Sequence, residues 1–369
     1  MTRFVHYYPE AMGDSGVTVA LWGWASALAA AGFEVLVLHA GDRAGERHAS
    51  PSFVTARDGS VEHRPIAHRG RGRLLRHPVD LGRHLRDGDI LVLHEGWVTN
   101  NVVAARSAAR AGVPYIVVPH GVYEPLWRRY LRPPRTVREA VERRMLERAA
   151  AVHLFFHSEA ASIMAIAPAA RLVVAPTGTQ VPEEQWRGGG GYLAWVGRYD
   201  PTHKGLDVLV DAVEELPPDR RPAIRLRGYD YRGGRARLAR LLQDRPGVAR
   251  SFEVGGPISG EEKRRFLLEA DGYLLPSRWE SHSVALLEAL SLGIPCLVSA
   301  ALHIATELRR YDAAVLAAPD APSLAKGLTA LEGAAEVGSR GRAMVATEFS
   351  WARALEELIP QLQTLGLVR

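Results

Sequence analysis

LLPSRWESHSVALLEALSLGIPCLVS, residues 274–299, is the stretch on which the reading of this chain turns. Leu274 and Leu275 end a buried strand, Pro276 stops it, and Ser283 is placed to N-cap a helix that runs to about Ser291, where Gly293 and Pro295 end it. Val284, Leu287 and Leu290 can turn to a core while Glu288 opens on the other side. Glu280 falls in the loop facing the helix start, with seven residues between it and Glu288. Backbone N–H groups at a helix start attract anions or polar oxygens, and two carboxylates beside them accept hydrogen bonds from hydroxyls. A sugar nucleotide has both kinds of group.

Upstream, YLAWVGRYDPTHKGLDVLVDAVEEL, residues 192–216, repeats the strand–loop–helix order. Tyr192 to Val196 form a strand that Gly197 closes, and Leu206, Leu209, Val210 and Val213 recur with helical spacing. Arg198 and Lys204 therefore occupy a strand-to-helix loop, the ligand edge of an open α/β sheet. Two cations there suit a diphosphate, the arginine as a planar fork and the lysine as a point charge.

The apolar runs EVLVL, DILVLH, PYIVVP and AVHLFF alternate with helical patterns in the first half, and GYLAWVG, AIRLRG, DGYLLP and PCLVS do so in the second. That alternation predicts two parallel sheets with helices on both faces, hence an α/β chain of two Rossmann-like domains, with the glycine run 188–191 as the boundary. The expected limits are 1–185, 186–350 and a final helix over 351–369.

Gly197-Arg198, Lys204-Gly205 and the Glu280/Glu288 pair together resemble the retaining GT-B glycosyltransferases of family 4. The segments VPHGVYEPLWRRY and RLVVAPTGT resemble the N-terminal half of the same group, with Pro176-Thr177-Gly178 where the family has Pro-Asn-Gly, and Ser15-Gly16 where it has a Gly-Gly loop. Glu280-Ser281-His282-Ser283 stands in place of Glu-Gly-Phe-Gly, which makes the sugar-facing loop bulkier and more polar. The resemblance implies two domains facing a cleft, a last helix that crosses back to the first domain, and transfer of a hexose from a nucleotide diphosphate sugar to a hydroxyl acceptor with retention. It places Arg198 and Lys204 on the diphosphate, Glu288 on the ribose, Glu280 with the backbone of Ser281, His282 and Ser283 on the sugar, and His120 near the transferred sugar. Gly16, Gly197 and Gly228 line the donor site, and UDP is favoured by a small pocket around Arg227-Gly228-Tyr229 and Val254-Gly255. The acceptor, a glycan, glycolipid or natural product, belongs near Gly16, Tyr123 and the arginine-rich segments.

The net charge of +5 is concentrated in the first half, at Arg64, Arg69, Arg71, Arg73, Arg76, Arg83 and Arg86 and again at Arg128, Arg129, Arg132, Arg135 and Arg138. This is either a solvated surface or a seat for an anionic membrane face or an acidic or lipid-linked acceptor. Nucleic acid is not expected, because no zinc-finger spacing or RNP signature accompanies the charge. The single Cys296 fits a reducing cytoplasm, and no apolar run approaches the roughly 18 residues of a membrane span, so a cytoplasmic protein, at most peripheral to the membrane, is expected. Asp87-Gly88-Asp89 matches a metal-binding Asp-x-Asp but reads as a turn before a strand, and Gly13 with Gly16 falls short of a dinucleotide fingerprint. Neither metal nor cofactor is expected. The rival readings are a phosphorylase-like enzyme, for which the chain is too short, and a non-catalytic scaffold of a partner transferase.

Overall fold

A computed structural model of the chain describes residues 2–13, 15–41, 61–70, 72–128 and 135–368. It divides into two compact units, Met1–Gly178 with Trp351–Arg369, and Thr179–Ser350. The first break falls after Gly178, earlier than the expected 185, because the intervening segment is tied to the second unit. Thr179 N–H donates to Phe349 O at 2.7 Å, Trp186 Nε1–H to Ala270 O at 2.6 Å, and Gly190 N–H to Glu269 O at 2.8 Å.

The first unit holds a seven-stranded sheet. Its strands are β1 (Arg3–Tyr7), β2 (Glu34–Ala40), β3 (Glu62–Ile66), β4 (Asp89–His94), β5 (Tyr115–Val118), β6 (Ala151–Leu154) and β7 (Leu172–Val174), in the spatial order 3-2-1-4-5-6-7. All neighbours run parallel. The interior strands are mostly buried and largely apolar, as expected of a sheet covered on both faces, with His6, His39, Asp89, His94 and His153 as buried polar exceptions. Strand β3, EHRPI, is missing from the apolar runs because four of its five residues are exposed. It lies at the sheet edge, where polar residues and Pro65 are tolerated.

At the other edge the helix Trp351–Thr364 supplies a cover for β7. Gln361 accepts from Val174 N–H at 3.0 Å through Oε1 and donates to Val174 O at 2.7 Å, so one side-chain amide completes the strand's backbone pairing. Trp351 packs so closely on the helix Gly16–Ala30 that a Cβ added at Gly23 would lie 2.1 Å from its ring. Its ring also meets Trp24 edge-on, at 5.4 Å between centroids.

The second unit holds a six-stranded sheet of β8 (Leu193–Val196), β9 (Ile224–Arg227), β10 (Phe252–Val254), β11 (Gly272–Leu275), β12 (Cys296–Ser299) and β13 (Val315–Ala317), ordered 10-9-8-11-12-13 and again all parallel. Leu206, Leu209, Val210 and Val213 of the helix Leu206–Glu215 are buried in its core. The helix after β11 spans Val284–Leu292 and ends on Gly293 at φ 83°, a left-handed cap that glycine adopts without strain. Leu287 and Leu290 are buried as the spacing requires, and Val284, at the first turn, is half-buried. Among the described residues no helix is long and apolar enough to cross a membrane.

Candidate functional site

In each sheet the strand order reverses between two adjacent strands, β1 and β4 in the first unit and β8 and β11 in the second. A crevice opens at the carboxyl ends of strands at such a point, because the connections leave in opposite directions. Arg198 follows β8 and the loop 276–283 follows β11, so the two motifs separated in sequence meet at the switch point of the second unit. Contact between them is tight. A Cβ at Gly205, which has φ 66°, would lie 2.0 Å from Pro276 O, and one at Gly228 would lie 1.6 Å from Gly197 O. At both positions the absence of a Cβ is what lets the two backbones approach.

Asp200 N-caps the short helix Pro201–Lys204, with Pro201 at its first position. The helix presents His203 and Lys204 to different partners. His203 Nε2 is 2.8 Å from Trp279 O, and since a carbonyl only accepts, the proton is on Nε2. Nδ1 is left as the acceptor for Arg198 Nη2–H at 2.7 Å. The ring stacks on Trp279, with centroids 4.3 Å apart, and burial together with the adjacent Lys204 drives its pKa down to about 3. A neutral imidazole thus holds the guanidinium without repelling it. Tyr231 lies under the other side, 4.6 Å from Arg198 Cζ. Arg198 Nε is buried with no hydrogen-bond partner among the described residues.

Lys204 forms an ion pair with Glu280, whose Oε1 also accepts from Ser277 Oγ–H at 2.8 Å. Burial alone would raise the pKa of Glu280, but the Lys204 ammonium overrides it and holds the carboxylate down to about 2. Arg278 grips Asp207 through two hydrogen bonds of 2.7 and 2.9 Å, fastening this loop to the helix Leu206–Glu215. Ser283 occupies the N-cap position as expected, with extended backbone and no side-chain capping bond, so the helix start displays its first N–H groups beside Ser281 and His282. Burial lowers the pKa of His282 to about 4, against the pull of Glu280. Glu288, one and a half turns into the helix, is paired with Lys263 of the helix Gly260–Glu269.

Sequence reasoning thus assembled Arg198, Lys204, Glu280, Ser281, His282, Ser283 and Glu288, with Gly197 and Gly228 beneath them. It missed His203, Trp279, Ser277, Tyr231 and Lys263. His203 had a local signal, a histidine flanked by the cationic pair it serves, whereas Lys263 lies in the charged run EEKRR that looks like a solvated face.

In the first unit Gly16 opens the helix Gly16–Ala30, capped by Ser15 Oγ, which accepts from Thr18 N–H at 3.1 Å. His120 sits in the turn after β5 at φ 54°, a strained conformation for a histidine, with Nε2 at 2.9 Å from His94 Nδ1. Tyr123, expected near the acceptor, is buried instead. Its hydroxyl donates to Glu142, a carboxyl that burial pushes up to about 7. Of the arginines, Arg64 pairs with Glu62 and Arg86 with Glu34. Arg71, Arg129 and Arg132 lie outside the described residues. Asp89 is taken up by Arg3, at 2.9 and 2.7 Å, and by Arg86 N–H, with Gly88 turning at φ 82° before it.

Residues 15–178 match the family described as glycosyl transferase 4-like domain, and residues 190–333 match glycosyl transferases group 1. No curated protein gives a significant match. Among solved structures, Alr3699/HepE of Anabaena in complex with UDP-glucose superposes with a TM-score of 0.77 at 17% identity, covering 99% of this chain and 100% of that one. Sucrose-phosphate synthase (tll1590) from Thermosynechococcus elongatus gives 0.75 at 19% identity, with 99% and 98% covered. TarM of S. aureus, in a complex with Fondaparinux, alpha-GlcNAc-glycerol and UDP, gives 0.73 at 9%, with 98% and 99% covered. Likeness at these identities is likeness of fold, while the two matched domains name the family: the chain belongs to the GT-B glycosyltransferases of the family 4-like, group 1 type.

Proposed function

We propose that this glycosyltransferase moves a hexose from a UDP-sugar to a hydroxyl acceptor of a glycan, glycolipid or natural product, with retention and with neither metal nor cofactor. The observation that carries the reading is Arg198, held on a neutral His203 with a buried Nε that has no partner among the described residues, next to Lys204 at a sheet switch point. A diphosphate offers that Nε an acceptor, and the two cations supply the charge that a metal supplies elsewhere. Negative charge grows on the leaving diphosphate as the glycosidic bond breaks, so Arg198 and Lys204 act most strongly in the transition state.

Glu288, steadied by Lys263, accepts from the ribose hydroxyls. Glu280 and the N–H groups of Ser281 to Ser283 position the sugar, and family resemblance assigns His120 to it as well. Glu280 is committed to Lys204 and Ser277 and is not a nucleophile, which favours front-face departure and attack over double displacement. The UDP and UDP-glucose in the Anabaena complexes support UDP as the nucleotide. The acceptor is assigned to the first unit, where Tyr8, Glu10, Arg76, Glu95 and Asn100 line a concave surface at the carboxyl ends of β1 and β4.

The test is a thermal-shift panel of UDP-, GDP-, ADP- and dTDP-sugars followed by turnover of the best binder, since binding to the native state stabilises by RT ln(1 + [L]/Kd). A rise in Tm with UDP-sugars and slow release of UDP, with α-configured product from an α-donor, is expected. A shift with GDP-sugars alone overturns the nucleotide assignment. Absence of hydrolysis and transfer with every donor leaves the scaffold reading in its place.

A further inference from the structure

The concave surface at the carboxyl ends of β1 and β4 is assembled from separate parts of the first unit. Glu10 follows β1, Arg76 comes from a small hairpin, and Asn100 is the second residue of the helix Thr99–Arg110. Tyr8, Pro9 and Glu95 complete the lining. The hairpin pairs His68 with Pro78 and Arg69 with His77, and His77–Pro78 packs on that helix. Its other side is tied to β1. His68 Nδ1 is 2.8 Å from Ile66 O, and since a carbonyl only accepts, the proton is on Nδ1 and Nε2 accepts from the Tyr7 hydroxyl at 2.9 Å. Tyr7 is fully buried, so Arg76 reaches the surface on a frame anchored in the core.

Arg76 is half-buried, yet among the described residues its guanidinium makes no hydrogen bond and no ion pair. Glu10 lines the same surface without pairing with it, and its carboxylate accepts only from the Tyr8 hydroxyl, at a long 3.5 Å. Asn100 is 5% exposed, and its Oδ1 is buried with no partner among the described residues. Groups withdrawn from water are ordinarily hydrogen-bonded, so a guanidinium, a carboxylate and an amide left unsatisfied around one hollow point to a ligand that completes them.

The mixture selects the chemistry of that ligand. A guanidinium only donates, a carboxylate only accepts, and an amide does both. A phosphate or carboxylate suits Arg76 but is repelled by Glu10 and Glu95, and an ammonium suits the carboxylates but is repelled by Arg76. An apolar group would take water from all three without replacing its hydrogen bonds. A hydroxyl accepts from Arg76 and donates to Glu10, and neighbouring hydroxyls on a ring serve a donor and an acceptor held apart. We propose that Arg76, Glu10 and Asn100 form an acceptor subsite that takes an uncharged sugar ring by its hydroxyls. The acceptor is then a neutral glycan, neither acidic nor phosphorylated, and not a non-sugar alcohol. The subsite rests on the placing of the acceptor in the first unit under the proposed function.

The test reads binding to the full chain without donor, by saturation-transfer NMR. The probes are the methyl α-glycosides of glucose, mannose and galactose, set against methyl glucuronoside, glucose phosphate and benzyl alcohol. At least one neutral glycoside should bind, and the acid, the phosphate and the alcohol should not. Arg76→Ala and Glu10→Ala should each weaken the neutral glycoside by about tenfold, the loss of one hydrogen bond to a charged group. Glu10→Gln keeps an acceptor oxygen and removes the charge, so it should retain the neutral glycoside and begin to admit the glucuronoside. Preference for the acid or the phosphate overturns the proposal, as does the absence of binding by every neutral glycoside, or binding that neither alanine variant weakens. Should Arg76→Ala fail to fold, the variants of Glu10, an exposed residue, decide. Failure of the proposed function looks different. A neutral glycoside bound through Arg76 and Glu10, with no turnover of any nucleotide sugar, would sink the transferase and leave the subsite, whereas transfer to a non-sugar alcohol alone would sink the subsite and leave the transferase.

Discussion

Replacing Lys204 by Met should reverse the pH dependence that Glu280 contributes to stability. The side chains of Lys204 and Glu280 are 15% and 12% exposed, so solvent screens the pair weakly. Against burial, Lys204 with smaller help from His203 and Ser277 holds Glu280 down to about 2 from an ordinary 4.5, and at about 1.36 kcal/mol per tenfold change in proton affinity the site favours the ionised carboxylate by roughly 3 kcal/mol net. Independent experience with broken buried pairs gives about 3–5 kcal/mol, and the surviving Ser277 bond argues for the lower end. A carboxylate with a depressed native pKa contributes stability that is present above about 4.5 and lost as pH falls toward 2.

With the methionine in place, burial is opposed only by His203 and the Ser277 hydrogen bond, and the native pKa rises above the unfolded one. Protonation then favours the native state. The deficit of Lys204→Met relative to the parent should therefore be about 3 kcal/mol at pH 7 and shrink steadily as pH falls toward 3. Urea unfolding of both proteins at several pH values measures it, and adding Glu280→Gln closes a double-mutant cycle in which most of the loss should be recovered. A deficit independent of pH, or one below about 1 kcal/mol at pH 7, would refute a buried charge pair here.

Arg198→Ala removes a contact that strengthens as the diphosphate departs, so kcat should fall by on the order of a hundredfold in a steady-state transfer assay. Glu288→Gln keeps shape and part of the hydrogen bonding to a ribose that does not change during reaction, so the effect should lie mostly in donor KM. An abolished kcat at unchanged donor affinity would make Glu288 the chemical residue instead. EDTA should leave most of the activity in place. Loss that Mg²⁺ or Mn²⁺ restores would mean that Arg198 and Lys204 do not suffice for the leaving group.

What the sequence determined by itself is what local spacing encodes. Buried parallel strands carry near-continuous apolar runs, so β2, β4, β5, β8, β11 and β12 announce themselves despite Glu34, His39, Asp89, His94 and Ser299, whereas the edge strand β3 and the three-residue β7, β10 and β13 do not. The ends of the helix Val284–Leu292 were legible because a cap and a positive-φ glycine are chemical requirements of that position. Glycine and charge in two strand-to-helix loops likewise marked the site. Pairing was decided only by the tertiary structure, since it depends on which loops the strand order brings together. Reversal of that order between β8 and β11 puts Lys204 against Glu280, and the packing of the helix Gly260–Glu269 puts Lys263 on Glu288. The same holds for the file from His6 through His94 to His120, which spans three strands that adjoin in the sheet and lie far apart in the chain. Periodicity reports which way a side chain faces within its own element, and a hydrogen bond across the sheet leaves no trace in it.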